Sequence, residues 1–358
     1  MDKMQTAKTS KTPATNLEQS RHPDLLAAID MGSNSFRLEI GQILKGRYKR
    51  IEYIKETVRL GGGLDSHGML TEDATQRGLA CLLRFAQHLK GFAPWQVRAV
   101  ATQTLREARN RDAFLQRADR VLGHRIEVIA GREEARLIYL GVSRLQPSEL
   151  PRLVIDIGGR STEMILGHGR TPIRKESFGV GSVSLTMQHF PQGLYTADNF
   201  RAAQIAAGAE LEEALTLFER NQWQEALGSS GTVGAVSQIL AANGITDGCI
   251  TPEGLRWCME RCIEAGSAEL LSLPGLKPER KAVLAGGLCI LYTLASHFDI
   301  EAMHPAKGAL RQGVIFDLEE RVEAARNHRL PDPRDTSVRE LQQRFRVDTV
   351  QAHRVRQR

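Results

Sequence analysis

Leu153 to Glu163 reads LVIDIGGRSTE, and the organisation of the chain follows from this stretch. Leu153, Val154, Ile155 and Ile157 form an apolar, mostly β-branched run of the kind a strand buried on both faces carries. Asp156 is the single carboxylate in that run. The run leads into Gly158 and Gly159, then Arg160 and the hydroxyl pair Ser161 and Thr162. Paired glycines permit a tight turn that brings backbone N–H groups close to a ligand, as phosphate-cradling loops require. A lone acid at the end of a buried strand is costly without a cation, so Asp156 and Glu163 predict a hydrated divalent metal facing the loop.

The layout recurs in LLAAIDMGSNSFRLEIG, where a strand from Leu25 to Ile29 precedes Asp30, Gly32, Ser35 and Gly41. Setting Asp30 on Asp156 is an offset of 156 − 30 = 126, and the same offset carries Gly32 to Gly158, Ser35 to Ser161 and Gly41 to Gly167. One such unit alone reads equally well as a glycine-containing hairpin. The matched pair points to a duplication and to two related α/β domains. If their loops face one another, a polyanion and its metal would be clamped between them.

At 358 residues the chain exceeds what one core usually organises, and 41% hydrophobic residues argue against general disorder. No apolar run approaches the roughly 20 residues of a membrane span. The formal charge of +6 is compatible with an anionic ligand and decides nothing alone. Five cysteines without CxxC spacing fit a reducing, cytoplasmic setting better than zinc or disulfides. Residues 1–23 are polar and read as a disordered leader with no signal-peptide core.

Along the chain, a third strand follows through Ile51 to Leu60. Thr71 caps a helix whose apolar face is Leu79, Leu82, Leu83, Ala86 and Leu89. A strand at Val97 to Ala101 precedes a polar turn, Thr102 to Arg106, at the sheet edge where α/β folds bind ligands. Arg106 reads either as a fork for phosphate oxygens or as one surface arginine beside Arg109 and Arg111. Glu133 and Glu134 open a helix to about Leu145, where acids ordinarily serve the helix dipole. Ala197 to Asn221 reads as one long helix, Trp223 to Leu227 as a strand, and Glu301 to Met303 as another. Gly228, Ser229, Ser230, Gly231 and Thr232 form a third glycine–hydroxyl loop at a helix start, suited to an anion or nucleotide and equally to an ordinary turn. Lys277 to Leu294 and Gly308 to Val322 read as further helices.

DMGSNSFRL, ATQTLREA, VIAGREEARLIYLGV, LVIDIGGRSTE, LGSSGTVGA, LSLPGLKPERKAVLAGGL and KGALRQGV, in this order, resemble the motifs of the exopolyphosphatase and guanosine pentaphosphate phosphohydrolase family. The resemblance spans about Leu25 to Val322. It implies the duplicated actin-like, sugar-kinase-like two-domain fold with an interdomain cleft. The domains would cover residues 24–148 and 149–305, with a helix at about 306–324 crossing back onto the first. It implies Mg²⁺-dependent hydrolysis of the terminal phosphate of inorganic polyphosphate, or of the 5′ γ-phosphate of guanosine pentaphosphate. Carried over by position, Glu134 would be the catalytic base and Arg106 the phosphate clamp. Asp156 and Glu163 would hold metal and water, with Asp30 opposite. Gly32, Ser33, Asn34 and Ser35, and Gly158, Gly159, Arg160, Ser161 and Thr162, would form two phosphate loops, joined in substrate binding by Gly228, Ser230, Gly231 and Thr232. The chemistry is coherent, because phosphoryl transfer needs positioning and charge neutralisation more than covalent steps.

Arg160 stands where a glycine is common in that family, and Lys307 where an acid often precedes the GALR segment; both read as tuning for a long polyanion. A kinase of the same superfamily and a non-enzymatic sensor are the rivals. The chain has no G-x-x-x-x-G-K-[ST] motif, and intact acids at 134, 156 and 163 speak against a sensor. No specific nucleic acid is expected. Residues 335–358 resemble the opening of a helical extension, which predicts a fragment of a longer enzyme with its basic tail mobile or packed on a second copy in a homodimer.

Overall fold

Residues 20–327 are described in the computed structural model of this chain. Its first sheet contains β1 (Leu25–Met31), β2 (Phe36–Leu44), β3 (Arg47–Glu56), β4 (Val97–Ala101) and β5 (Ile126–Val128), in the order β3-β2-β1-β4-β5. The second contains β6 (Arg152–Ile157), β7 (Thr162–His168), β8 (Thr171–Phe178), β9 (Glu225–Gly228) and β10 (His304–Pro305), in the order β8-β7-β6-β9-β10. In each sheet three strands form an antiparallel meander, and the last two run parallel to the first. The sequence repeat is therefore a repeat of topology, as the duplicated α/β layout requires. Its register sets Asp30 opposite Arg37 in one copy and Asp156 opposite Glu163 in the other.

The helices are α1 (Glu72–His88), α2 (Gln103–Glu107), α3 (Arg111–Leu122), α4 (Gly131–Leu145), α5 (Ser182–His189), α6 (Ala197–Glu210), α7 (Glu212–Leu217), α8 (Gly231–Ala242), α9 (Pro252–Ala265), α10 (Pro278–His297) and α11 (Leu310–Asn327). Thr71 caps α1 as expected, its hydroxyl accepting from the Ala74 N–H, and Leu79, Leu82 and Phe85 are buried. Leu83, assigned to that face, is exposed, because it lies about 100° around the helix from Leu82. The polar turn after β4 is the short helix α2. The single helix expected over Ala197 to Asn221 breaks at Leu211, whose N–H is shared by the carbonyls of Ala207 and Gly208; the bend keeps Leu211, Ala214 and Phe218 in the core. Helix α9 was not foreseen. It carries Thr251 as a cap, Pro252 in its first turn, and Leu255, Cys258, Met259 and Cys262 inward. The strand expected at Glu301 to Met303 is displaced to β10, while Met303 bridges Ile250.

Residues 20–23, placed in the leader, are tied down: the Arg21 N–H donates to Gly91 O, and Gln96 Nε2 donates to the carbonyl of His22. The rest of the leader and the extension at 335–358 lie outside the described residues. Among the described residues no helix is long and apolar enough to cross a membrane.

Helix α11 crosses back onto α4 and β1, and beside the apolar side chains between them the contact includes close backbone approach at three glycines. A Cβ at Gly141 would lie 2.3 Å from the Ala309 carbonyl oxygen, one at Gly308 2.1 Å from that of Gly141, and one at Gly313 1.7 Å from that of Leu137. Beside this seam Asp317, fully buried, accepts from Arg98 at 2.8 Å and from Arg136, and pairs with Arg321 at 2.7 Å. Burial opposes its ionisation, but Arg136, Arg98 and Arg321 outweigh that and hold its carboxyl below the ordinary range. We expect Gly313→Ala to destabilise the protein by at least the ~1–3 kcal/mol of an overpacked core. Gly234→Ala, on an open helix face, should be neutral or stabilising. Urea unfolding of the two variants checks this; an unchanged midpoint for Gly313→Ala would contradict the backbone contact.

Candidate active site

The repeated strand-turn-strand units meet at a cavity of about 350 Å³. In the first unit the Gly32 N–H donates to Ser35 O (3.2 Å), and in the second the Gly158 N–H donates to Ser161 O (2.8 Å), so both copies make the same turn. Gly32, Ser33, Asn34 and Ser35 line the cavity from one side, and Gly158, Gly159 and Ser161 from the other. The turns touch: a Cβ at Gly159 would fall 2.8 Å from that of Ser33. The third loop, Gly228, Ser229, Ser230, Gly231 and Thr232, also lines the cavity. Ser230 spends its hydroxyl oxygen capping α8, accepting from the N–H groups of Thr232 and Val233.

Into this space the fold turns carboxylates. Asp30 is charge-balanced, 2.9 Å from Arg37 and 3.6 Å from Arg311. Asp156, at the equivalent place in the second copy, faces Glu163 across the ladder instead of an arginine. Burial pushes the Asp156 carboxyl up to about 7, with Arg37 opposing and Asp30 adding to the rise. Glu163, fully buried, is raised well above the carboxylate range by burial and then by Glu134 and Asp156, although Ser177 donates to its Oε1 at 2.8 Å. Glu134, in the first turn of α4, lines the cavity and is raised to about 7 by burial, against the pull of Arg106, whose Nη1 donates to Glu134 Oε2 at 2.8 Å. Nη2 of Arg106 lies 4.0 Å from Glu163 Oε1. That nitrogen, Oε2 of Glu163 and Oγ of Ser35 are buried without a hydrogen-bond partner.

The structure thus brings Glu134, Arg106, Asp156, Glu163, Asp30 and the three loops together. Two residues assigned to substrate point elsewhere. The Thr162 hydroxyl is buried and donates to Val180 O at 2.7 Å, because the residue already belongs to β7. Arg160 reaches Glu107 and the Gly61 carbonyl and does not line the cavity. Several lining residues escaped the sequence reading: Arg37, Tyr53, Lys55, Arg280 and Arg311. Lys55 is lowered to about 8 by burial and by Arg280 and Arg37, the mark of cations gathered close together. Arg37 was recoverable from the repeat itself, since 37 + 126 = 163 sets it on Glu163.

Among the described residues no group of three or more His, Cys, Asp or Glu side chains is arranged to hold a metal alone. Mg²⁺ typically takes one or two carboxylates and completes its shell with water and phosphate. Asp156 and Glu163, raised in proton affinity and with one oxygen unpartnered, are a donor set that fits it.

The carboxylates give a pH signature. Each is raised, so the folded protein binds protons more tightly than the unfolded chain, and their contribution to stability falls as pH climbs from the ordinary carboxylate range to about 7. Without divalent metal, Asp156→Asn should melt above the unsubstituted protein at pH 8, by a margin that narrows toward pH 5. Thermal denaturation at both pH values tests it, and a variant no more stable at pH 8 would contradict the charge cluster.

A "Guanosine-5'-triphosphate,3'-diphosphate pyrophosphatase" of Pseudoalteromonas atlantica is 39% identical over 342 residues, covering 96% of this chain and 67% of the relative. A Haemophilus influenzae protein provisionally named an exopolyphosphatase is 40% identical over 300 residues, covering 84% and 93%. The crystal structure of an exopolyphosphatase-like protein superimposes with a TM-score of 0.74 at 26% identity, covering 84% of this chain and 99% of that one. The family model of the Ppx/GppA phosphatases matches residues 40–322, and this chain belongs to that family.

Proposed function

We propose that the cleft hydrolyses the terminal phosphoryl group of inorganic polyphosphate with a water activated by Glu134. The observation that carries this reading is the state of Glu134: buried, facing the cavity, fixed by Arg106, and with a proton affinity near 7. A base tuned to about neutral pH takes a proton from water most effectively there. The touching loops present backbone and Ser33, Ser35 and Ser161 to phosphate oxygens, and Arg106, with one nitrogen unpartnered, is placed to receive charge that builds as the bond breaks. Bound at Asp156 and Glu163, Mg²⁺ would supply charge neutralisation of the phosphoryl group. Glu134 on helix α4 is only 7% exposed, which limits its access to bulk water, and Ile138, one turn further along, also lines the cavity.

Guanosine pentaphosphate is the second reading, supported by the name of the Pseudoalteromonas relative. The cations Lys55, Arg280 and Arg311 that line the cavity suit either polyanion. Phosphate release on the two substrates side by side, with Mg²⁺ and no acceptor, ranks them; release that requires an added acceptor would favour a kinase, and none at all a sensor. Glu134→Gln should lower kcat by on the order of 10² to 10⁴ while leaving substrate binding near normal. A near-normal kcat would return Glu134 to the role of a helix-dipole partner.

A further inference from the structure

Helix α2 is only five residues long, yet three parts of the cleft are attached to it. The Thr104 hydroxyl donates to Ser33 Oγ in the first loop at 2.7 Å, inside the protein. Arg106 donates to Glu134 at 2.8 Å and, through a second contact from the same nitrogen, to Ile129 O at 2.9 Å. Glu107 receives Arg160 from the second loop, at 2.8 Å from Nε and 2.6 Å from Nη2, and Nη1 of that guanidinium donates to Gly61 O at 3.4 Å. Arg160 therefore bridges from one copy of the repeat to the other.

Gln103 joins these contacts. Its Nε2 donates to Glu107 Oε1 at 2.7 Å, while its Oε1 accepts from Arg106 Nε at 2.8 Å. A continuous series of hydrogen bonds thus runs from Arg160 through Glu107, Gln103 and Arg106 to Glu134. Each guanidinium presents donors in a fixed plane, so holding Nε of Arg106 on Gln103 sets where its other nitrogens point. The backbone around the bridge is tight: a Cβ at Gly61 would meet Ser33, Arg160 and Thr104 at 2.9 to 3.0 Å, and one at Gly181 would lie 2.3 Å from the Arg160 nitrogen.

We propose that Arg160 and Glu107 are positioning residues for the hydrolytic reaction: their ion pair across the cleft, relayed by Gln103, orients Arg106 on Glu134 only when the two phosphate loops are together. This rests on the reading of Glu134 as the base. It reassigns Arg160 from holding substrate to coupling closure of the cleft with assembly of its reactive end. The Arg160 and Glu107 side chains are 21% and 33% exposed, and an ion pair that accessible contributes little to folding, so its loss should be read in turnover and not in unfolding.

The test is a double-mutant cycle of Arg160→Gly and Glu107→Gln on the full chain, with phosphate release from polyphosphate in Mg²⁺. Each single variant should lower kcat by roughly tenfold with KM within about twofold, and the double variant should fall no further than the worse single. Gln103→Leu should match them, and Arg160→Lys, which keeps a charged contact to Glu107, should recover most of kcat. Single effects that multiply in the double variant overturn the proposal. So does a rise in KM at unchanged kcat, which would return Arg160 to direct contact with substrate. The cycle is separable from the assignment of the base: near-normal Glu134→Gln would remove that assignment, whereas the coupling between Arg160 and Glu107 is measured whichever acid takes the proton.

Discussion

Three carboxylates gathered in one cleft, two of them buried, with a single guanidinium paired among them, are the constraint on which the remaining architecture depends. Glu134, Asp156 and Glu163 repel one another and are each raised by burial, so the folded state carries an electrostatic cost there. Such a cluster survives only where the surroundings over-determine it. The surroundings are two sheets with their own apolar cores, a third core beneath α4 and α11, and an arginine-clamped Asp317 beside the crossing helix. Duplication supplied the frame, and one position was decisive: arginine at 37 neutralises its copy of the aspartate, and glutamate at 163 does not.

The cavity consequently mixes both signs of charge: Lys55 stands near Arg280 and Arg37, while Arg311 lies 3.6 Å from Asp30 and, like Arg37, acts on Asp156. A polyanion would meet these cations while its reacting end lies beside groups eager for protons or a cation. Low local dielectric strengthens both effects. The chain's overall charge of +6 carries no trace of this, since the relevant quantity is where the charges converge.

Features encoded locally were legible from the sequence. The glycine turns and the Thr71 cap involve residues close in the chain, the repeat is a constant offset between two such local stretches, and all emerge where they were expected. Glu134 was legible only through family motifs, because an acid in a first helical turn ordinarily serves the dipole. Distant pairings were not legible. Arg160 sits inside a phosphate-loop motif, yet its side chain answers to Glu107, 53 positions away. Thr162 shares the hydroxyl chemistry of Ser161 but has entered the strand. The cations at Lys55 and Arg280 come together only because sheet edge and helix start approach across the cleft. Helix α9 had a legible pattern at Leu255, Cys258, Met259 and Cys262, where the cysteines themselves stand one helical turn apart.

The seam between α4 and α11 has a mechanical side. Side chains that interdigitate can hop between rotamers and let two helices slide, but carbonyl oxygens against glycine backbone have no such freedom. The glycine contacts therefore set how closely the two helices approach, and with it where Glu134 on α4 stands relative to Arg311 on α11.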